Sequence, residues 1–154
     1  MLYFAYGSNL HHLQMKKRCK DSIFLKKIIL KDFKLTFRSK YRAADIQPKN
    51  KSIVPGALFE ISKSDEKKLD VYEDYPILYK KYYFKYYGRK VMTYIMVKKT
   101  HFMYPTTRYL NIVKKGYKDC VLNIEYLKKA LSNQNLTKLK NLKKKTSKNK
   151  HLGL

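Results

Sequence analysis

The sequence predicts an α+β domain, and three observations carry that prediction. Phe33, Leu35 and Phe37 alternate with Lys34, Thr36 and Arg38, the period-two signature of a strand with one buried face. Ser62 stands three residues before Asp65 at the head of a helical segment, a pattern in which side chain and backbone cap each other. Strand-like and helix-like segments are mixed along the chain, roughly five to seven strands among short helices, with no internal repeat. A chain of 154 residues with 44% hydrophobic content is one domain with enough apolar matter for a core.

The elements follow in order. Leu2-Tyr3-Phe4-Ala5-Tyr6 reads as a buried strand, stopped by Gly7-Ser8-Asn9, residues that suit tight turns. Leu10 to Arg18 reads as a helix. A strand, a turn and a helix in succession form a floor of amide donors suited to an anion or a polarised carbonyl oxygen. The same pattern also fits an ordinary strand–helix turn. Ser22–Leu30, Phe33–Arg38, Ala43–Ile46 and Ile53–Ile61 read as strands, with a turn at Pro48-Lys49-Asn50-Lys51. The helix capped by Ser62 runs to about Tyr72 and delivers Glu73 near its end. Tyr79–Tyr87 and Lys90–Val97 form a hairpin around Gly88-Arg89. Pro105-Thr106-Thr107 opens a helix ending at Gly116, and Asn123 caps a last helix with Ile124, Leu127 and Leu131 on one face. Lys138–Lys150 holds seven lysines and no aromatic residue and reads as a loose basic tail or a frayed helix. The expected division is a domain over residues 1–134 and a lysine-rich tail over 135–154.

The net charge is +25, from 36 basic and 11 acidic residues. Of the basic residues 31 are lysine and 5 are arginine, so the arginine forks that favour base-specific readout are scarce. Lys, Asn, Ile and Tyr share AT-rich codons, and that bias accounts for most lysines as a solvated face. The expectation is weak, sequence-independent polyanion binding and no specific nucleic-acid partner. No stretch approaches the roughly 20 apolar residues of a membrane span, so no membrane partner is expected. The apolar N-terminal run is too short for a secretory signal and has no basic region before it. Cys19 and Cys120 do not make a disulfide framework and read as free thiols in a reducing cytoplasm. The four histidines form no ligand cluster, and no metal site is expected.

Four segments in order carry a resemblance. They are Tyr3-Phe4-Ala5-Tyr6-Gly7-Ser8-Asn9, the strand Val54-Pro55-Gly56-Ala57-Leu58-Phe59, the segment Leu69-Asp70-Val71-Tyr72-Glu73, and Tyr79. Together they closely resemble the γ-glutamylcyclotransferase family, over about residues 1–131. The resemblance implies a small mixed β-barrel flanked by short helices, with the substrate cavity at one barrel mouth. It implies a reaction in which the α-amine of a γ-glutamyl compound attacks its own γ-carbonyl, giving 5-oxoproline and a free amino acid. Such chemistry needs a carboxylate to move protons and donors for the oxyanion, but no metal or organic cofactor.

The resemblance makes Glu73 the general acid/base. Asp70, three residues earlier on a neighbouring helix face, is the competing candidate and reads as structural, bonding nearby backbone. It makes Tyr3, Phe4, Ala5, Tyr6, Gly7 and Ser8 the substrate-binding loop and adds Tyr109, whose hydroxyl reaches the substrate. The bland alternatives are a surface carboxylate for Glu73 and core packing for the aromatics. Tyr72, Tyr75 and Tyr79 would wall the site and raise the Glu73 pKa. Where the family commonly has Gly after this glutamate, the chain has Asp74, which either raises the Glu73 pKa further or disrupts the site. Two other readings remain: a γ-glutamylamine cyclotransferase, and an inactive relative serving as a basic binding module. Many relatives pair as dimers, so a homodimer is also expected. Because apolar patterning fades after Gln134, a chain ending there should keep its melting temperature and turnover. A large loss on thermal unfolding of the shortened chain would show that the lysine-rich segment packs on the domain.

Overall fold

The structure is a computed structural model that describes residues 1–132. The expected boundary at 134 and the lysine-rich segment lie outside the described residues. Five strands form one sheet: β1 (Leu2–Ala5), β2 (Ile23–Arg38), β3 (Ala43–Glu60), β4 (Tyr79–Tyr86) and β5 (Arg89–Met96). Their order is β2-β3-β1-β5-β4, with β1 and β5 parallel and the other pairs antiparallel. The helices are α1 (His12–Arg18), α2 (Lys63–Tyr72), α3 (Thr107–Asp119) and α4 (124–132). No helix among the described residues is long and apolar enough to cross a membrane.

The expected barrel is not closed. β2 and β4 are the two edges of the sheet, and no ladder joins them among the described residues. They meet through side chains instead. Phe33 of β2 and Tyr82 of β4 place their ring centroids 5.5 Å apart. The contact between these two edges is made by side chains and not by a backbone ladder.

β2 and β3 are single long strands where the sequence suggests two pairs. Lys31 pairs with Ile53 and Phe33 with Pro48, so residues 49–52 bulge opposite Asp32 alone. Asp32 Oδ1 accepts from the Lys51 amide at 3.0 Å, and both residues sit at positive φ, 60° each. The turn chemistry at Pro48–Lys51 thus bends a hairpin without reversing the chain. The bend carries the first residues of β3 over to β4 and β5, where the Met96 amide donates to Asp45 at 2.8 Å.

The helix caps follow the sequence. The Ser62 hydroxyl accepts from the Asp65 amide at 3.0 Å, and the Asp65 carboxylate accepts from the Ser62 amide. Thr106 caps α3 through the Tyr109 amide, and the Asn123 side chain accepts from the Glu125 amide at 3.0 Å. Leu10 does not lie in a single helix to Arg18. Ser8–Leu10 form a 3-10 turn, and His11 caps α1 while its Nδ1 meets Asp119 Oδ2 at 2.8 Å. Cys19 and Cys120 are free and buried, and burial pushes both thiols up to about 12, which keeps them protonated.

Gly116 does not end α3, which continues to Asp119. Its role is close approach: a Cβ there would come within 2.4 Å of the Leu10 Cβ and 2.7 Å of the His11 amide nitrogen. This contact seats α3 against the turn that follows β1. On an exposed helix Gly→Ala stabilises. Here Gly116→Ala should cost about 1–3 kcal/mol, the usual worth of an overpacked contact, and lower the melting temperature by several degrees. An unchanged or raised melting temperature would contradict the contact.

Candidate active site

Six parts of the chain converge on one cavity of about 420 Å³, among them β4 through Tyr79 and β5 through Tyr94. The end of β1 and its turn bring Tyr3, Tyr6, Gly7 and Ser8. The start of β3 brings Ala43 and Ala44. The end of α2 brings Tyr72, Glu73 and Asp74, and the first turn of α3 brings Tyr109. Gly7 admits this approach, since a Cβ there would meet the Ala44 Cβ at 3.0 Å and the Tyr109 hydroxyl at 3.2 Å.

Glu73 is the acid of the cavity. As the C-cap of α2 its amide bonds the Leu69 carbonyl, which fixes the side chain at the cavity wall. Burial raises its pKa from the ordinary carboxylate value to about 7. The positive charge of Arg18 and a hydrogen bond from Asn9 oppose that rise, and burial prevails. Asp74 is not among the causes, so the second carboxylate does not set the proton affinity of Glu73. Asp74 takes φ 49°, the left-handed conformation that Asp tolerates better than most residues.

Asn9 links the site together. Its Nδ2 donates to Glu73 Oε1 at 3.1 Å and to the Tyr3 hydroxyl at 2.9 Å. Its Oδ1 accepts from Arg18 at 2.5 Å. A guanidinium can only donate, so it fixes which end of the amide faces Glu73. Arg18 is itself held by Gln14 Oε1 at 2.7 Å and lies 3.5 Å from the ring centre of Tyr72.

The cavity tyrosines differ in where their protons go. Tyr6 donates to the Tyr94 carbonyl, Tyr79 to the Ala44 carbonyl and Tyr94 to Asp70, each at 2.6 Å. Tyr109 is different. Its oxygen accepts from the Ala44 amide at 3.1 Å and from the Ser8 amide. Backbone amides only donate, so the Tyr109 proton remains for an acceptor in the cavity. Tyr3 likewise accepts from Asn9. Burial raises the pKa of both phenols, which keeps them protonated.

A buried charge cluster holds the opposite wall. Asp45 is fully buried, and its Oδ2 lies 3.2 Å from Arg38 Nε and 3.0 Å from Lys99 Nζ. Arg38 also bonds Gln47. With the Met96 amide on its other oxygen, Asp45 anchors β3 beside Ala44, whose two backbone groups hold Tyr79 and Tyr109.

Of the residues singled out in the sequence, the structure brings Glu73, Tyr3, Tyr6, Gly7, Ser8 and Tyr109 together. Phe4 and Ala5 do not line the cavity; they are buried in the core, Phe4 against Phe84. Tyr72 and Tyr79 form the expected wall, whereas Tyr75 is exposed with Lys81 over its ring. Asp70 holds Lys81 at 2.9 Å as well as Tyr94, bonds to side chains and not to backbone. Asn9 and Arg18 went unnoticed as site residues. The signals available were the fourth position of the YGSN turn and the rarity of arginine in this chain. Among the described residues no three His, Cys, Asp or Glu side chains converge to hold a metal ion.

The sequence pattern of the family described as "Gamma-glutamyl cyclotransferase, AIG2-like" matches residues 3–117. The chain belongs to this family. Among solved structures, it is similar to the uncharacterized protein loc79017 from Homo sapiens, with 28% identity, a TM-score of 0.69, and 84% of this chain and 85% of that chain covered. A structure named gamma-glutamyl cyclotransferase is similar at 26% identity and a TM-score of 0.69, with the same coverage. YkqA from Bacillus subtilis shares the fold at 20% identity and a TM-score of 0.71; the match spans 88% of this chain and 54% of that one. No curated protein matches the chain.

The link from Arg18 through Asn9 to Glu73 has a measurable sign. Arg18 favours the ionised carboxyl, so Arg18→Gln should move the Glu73 pKa upward from about 7. Carbon-13 NMR titration of the Glu73 carboxyl reads this directly, without substrate. A pKa unchanged or lowered in a folded variant would break the link.

Proposed function

We propose that the protein is a cofactor-independent γ-glutamylcyclotransferase that releases 5-oxoproline and a free amino acid from γ-glutamyl compounds. The observation that carries this reading is a single carboxyl raised to about 7 by burial, facing two tyrosines whose protons are uncommitted. The substrate's α-amine is largely protonated near neutral pH and must lose a proton before it attacks. Glu73 takes that proton. The amine nitrogen then bonds to the γ-carbonyl carbon, and the carbonyl electron pair moves onto oxygen. Tyr109 donates its hydrogen bond to that oxygen from a position fixed by the Ala44 and Ser8 amides. Collapse of the intermediate breaks the bond to the leaving nitrogen, which receives the proton from Glu73. The ring nitrogen then gives its second proton to the freed Glu73 carboxylate, which passes it to the departing amine, so the amine leaves as an ammonium and Glu73 is again ionised. The cavity walls fold the substrate so that its own amine and carbonyl meet.

The alternative leaving groups belong to the same chemistry. A γ-glutamylamine would react through the same steps with an amine departing in place of an amino acid. The partner in either case is a small γ-glutamyl molecule.

The test is release of 5-oxoproline from γ-glutamyl-alanine, with a γ-glutamylamine in parallel. Glu73→Gln preserves shape and cannot act as a base, so turnover should fall about 10²–10⁴-fold with folding intact. In the unaltered protein activity should rise with pH through about 7, because only the ionised carboxyl accepts the proton. Asp70→Asn should lose activity only as far as it loses stability, through Tyr94 and Lys81. Near-normal turnover in folded Glu73→Gln would remove the proposed mechanism.

A further inference from the structure

The β4–β5 hairpin carries two features that work against folding, both at its tip. Its two-residue loop is Tyr87-Gly88, with φ 45° and 75°. A two-residue turn with both residues at positive φ strongly prefers Asn-Gly or Asp-Gly, and a bulky side chain in the first position is strained. Tyr87 gains little in return, since it is 88% exposed and meets the Tyr86 ring edge-on. Just behind the loop Lys85 and Lys90 stand directly opposite each other, a like-charge pair that destabilises a ladder. Tyr83, one position further on the same face, is also exposed, with Lys90 Nζ 4.1 Å from its ring centre. From the neighbouring edge strand Lys26 reaches to 5.2 and 5.8 Å from the rings of Tyr86 and Tyr87.

Codon bias does not explain this arrangement. It adds lysines everywhere, but it does not sort the acids. Residues 75–118 contain 11 lysines and arginines and no acid, whereas residues 60–74 contain six of the chain's 11 acids. The hairpin tip, residues 83–90, therefore carries three cations, no acid and two exposed aromatic rings, whereas Lys81 further along β4 is paired with Glu66 and Asp70. The face is separate from the cavity. β1 and β5 are parallel, with Leu2 beside Val91, so the tip lies at the end of the sheet away from Gly7.

We propose that this tip is a docking surface for single-stranded nucleic acid, with bases stacking on Tyr83 and Tyr87 and phosphates meeting Lys26, Lys85, Arg89 and Lys90. Charge complementarity selects a polyanion, and the rings select one with exposed π-faces. A duplex keeps its bases stacked inside and offers these rings nothing. Phosphates would relieve the Lys85–Lys90 repulsion, and a stacked base would give the strained tyrosine a contact. Recognition is sequence-independent, because every base has a face to stack.

The test uses the whole chain and a fluorescent oligouridylate of about 15 nucleotides, a length that spans a typical single-strand site. A duplex of equal length, heparin, and phosphatidylserine vesicles are measured beside it, all at about 0.1 M salt to limit purely electrostatic binding. The decisive variant is Tyr87→Asn, which keeps the charge and suits the turn. It should raise the melting temperature, weaken oligouridylate binding about tenfold and leave heparin binding unchanged. Tyr87→Phe keeps the ring and should bind as the unaltered protein does. The proposal is overturned if Tyr87→Asn binds the oligonucleotide undiminished, or if duplex, heparin or vesicles bind better than the single strand. It is equally overturned if Tyr87→Asn lowers the melting temperature, since the tyrosine would then serve the fold.

Discussion

Asp45 ties together three separate parts of this molecule. It is a carboxylate without solvent contact, and such a group is costly unless donors surround it. Lys99 and the Met96 amide are those donors and Arg38 adds its charge at 3.2 Å; they come from the segment after β5, from β5 itself and from β2. The cluster thereby fastens the far half of the β2–β3 hairpin across the sheet. Ala44 is its neighbour, and both backbone groups of Ala44 face tyrosines of the cavity. Without the anchor, the hairpin bent at residues 49–52 would have no reason to lie where the cavity needs a wall.

The opposite wall rests on a balance and not on a clamp. Removing water from the Glu73 carboxyl favours its neutral form, whereas Arg18 and Asn9 favour the charged one. A carboxyl driven further by burial would hold its proton too tightly to act as a base near neutrality. One paired directly with a guanidinium would not take a proton from an ammonium group. The intervening asparagine amide keeps Arg18 in reach and out of contact, and the result is poised between these extremes.

Much of this was legible in the chain. Alternation at Phe33–Arg38, the Ser62–Asp65 cap and the Tyr3–Ser8 run are local patterns, and local patterns report strands, caps and turns. Glu73 and Tyr109 were found because the family motif marks them, not because their surroundings could be read. What the sequence concealed depends on distance in space. Asn9 and Arg18 matter through partners across the fold, from Tyr3 to Glu73. Gly116 reads as a stop because glycine often ends helices, while its reason here is a neighbour 106 residues away in the chain, Leu10. Pro48–Lys51 reads as a reversal because turn residues specify a bend, and only the partner strand decides how far the chain bends. Barrel closure is a similar case: whether β2 and β4 form a ladder depends on where the two edges lie in space, which no local pattern reports.

An unclosed sheet has two strand edges, and each exposes backbone groups able to template another chain. A closed barrel of the same strands would have had none. Those edges carry lysines 26, 27, 31 and 34 on β2 and lysines 80, 81 and 85 on β4. Two molecules approaching edge to edge would bring like charges together before any hydrogen bond could form. The positive charge of this chain thus bears on its solubility as well as its partners. Charge of one sign along both edges disfavours strand pairing between copies.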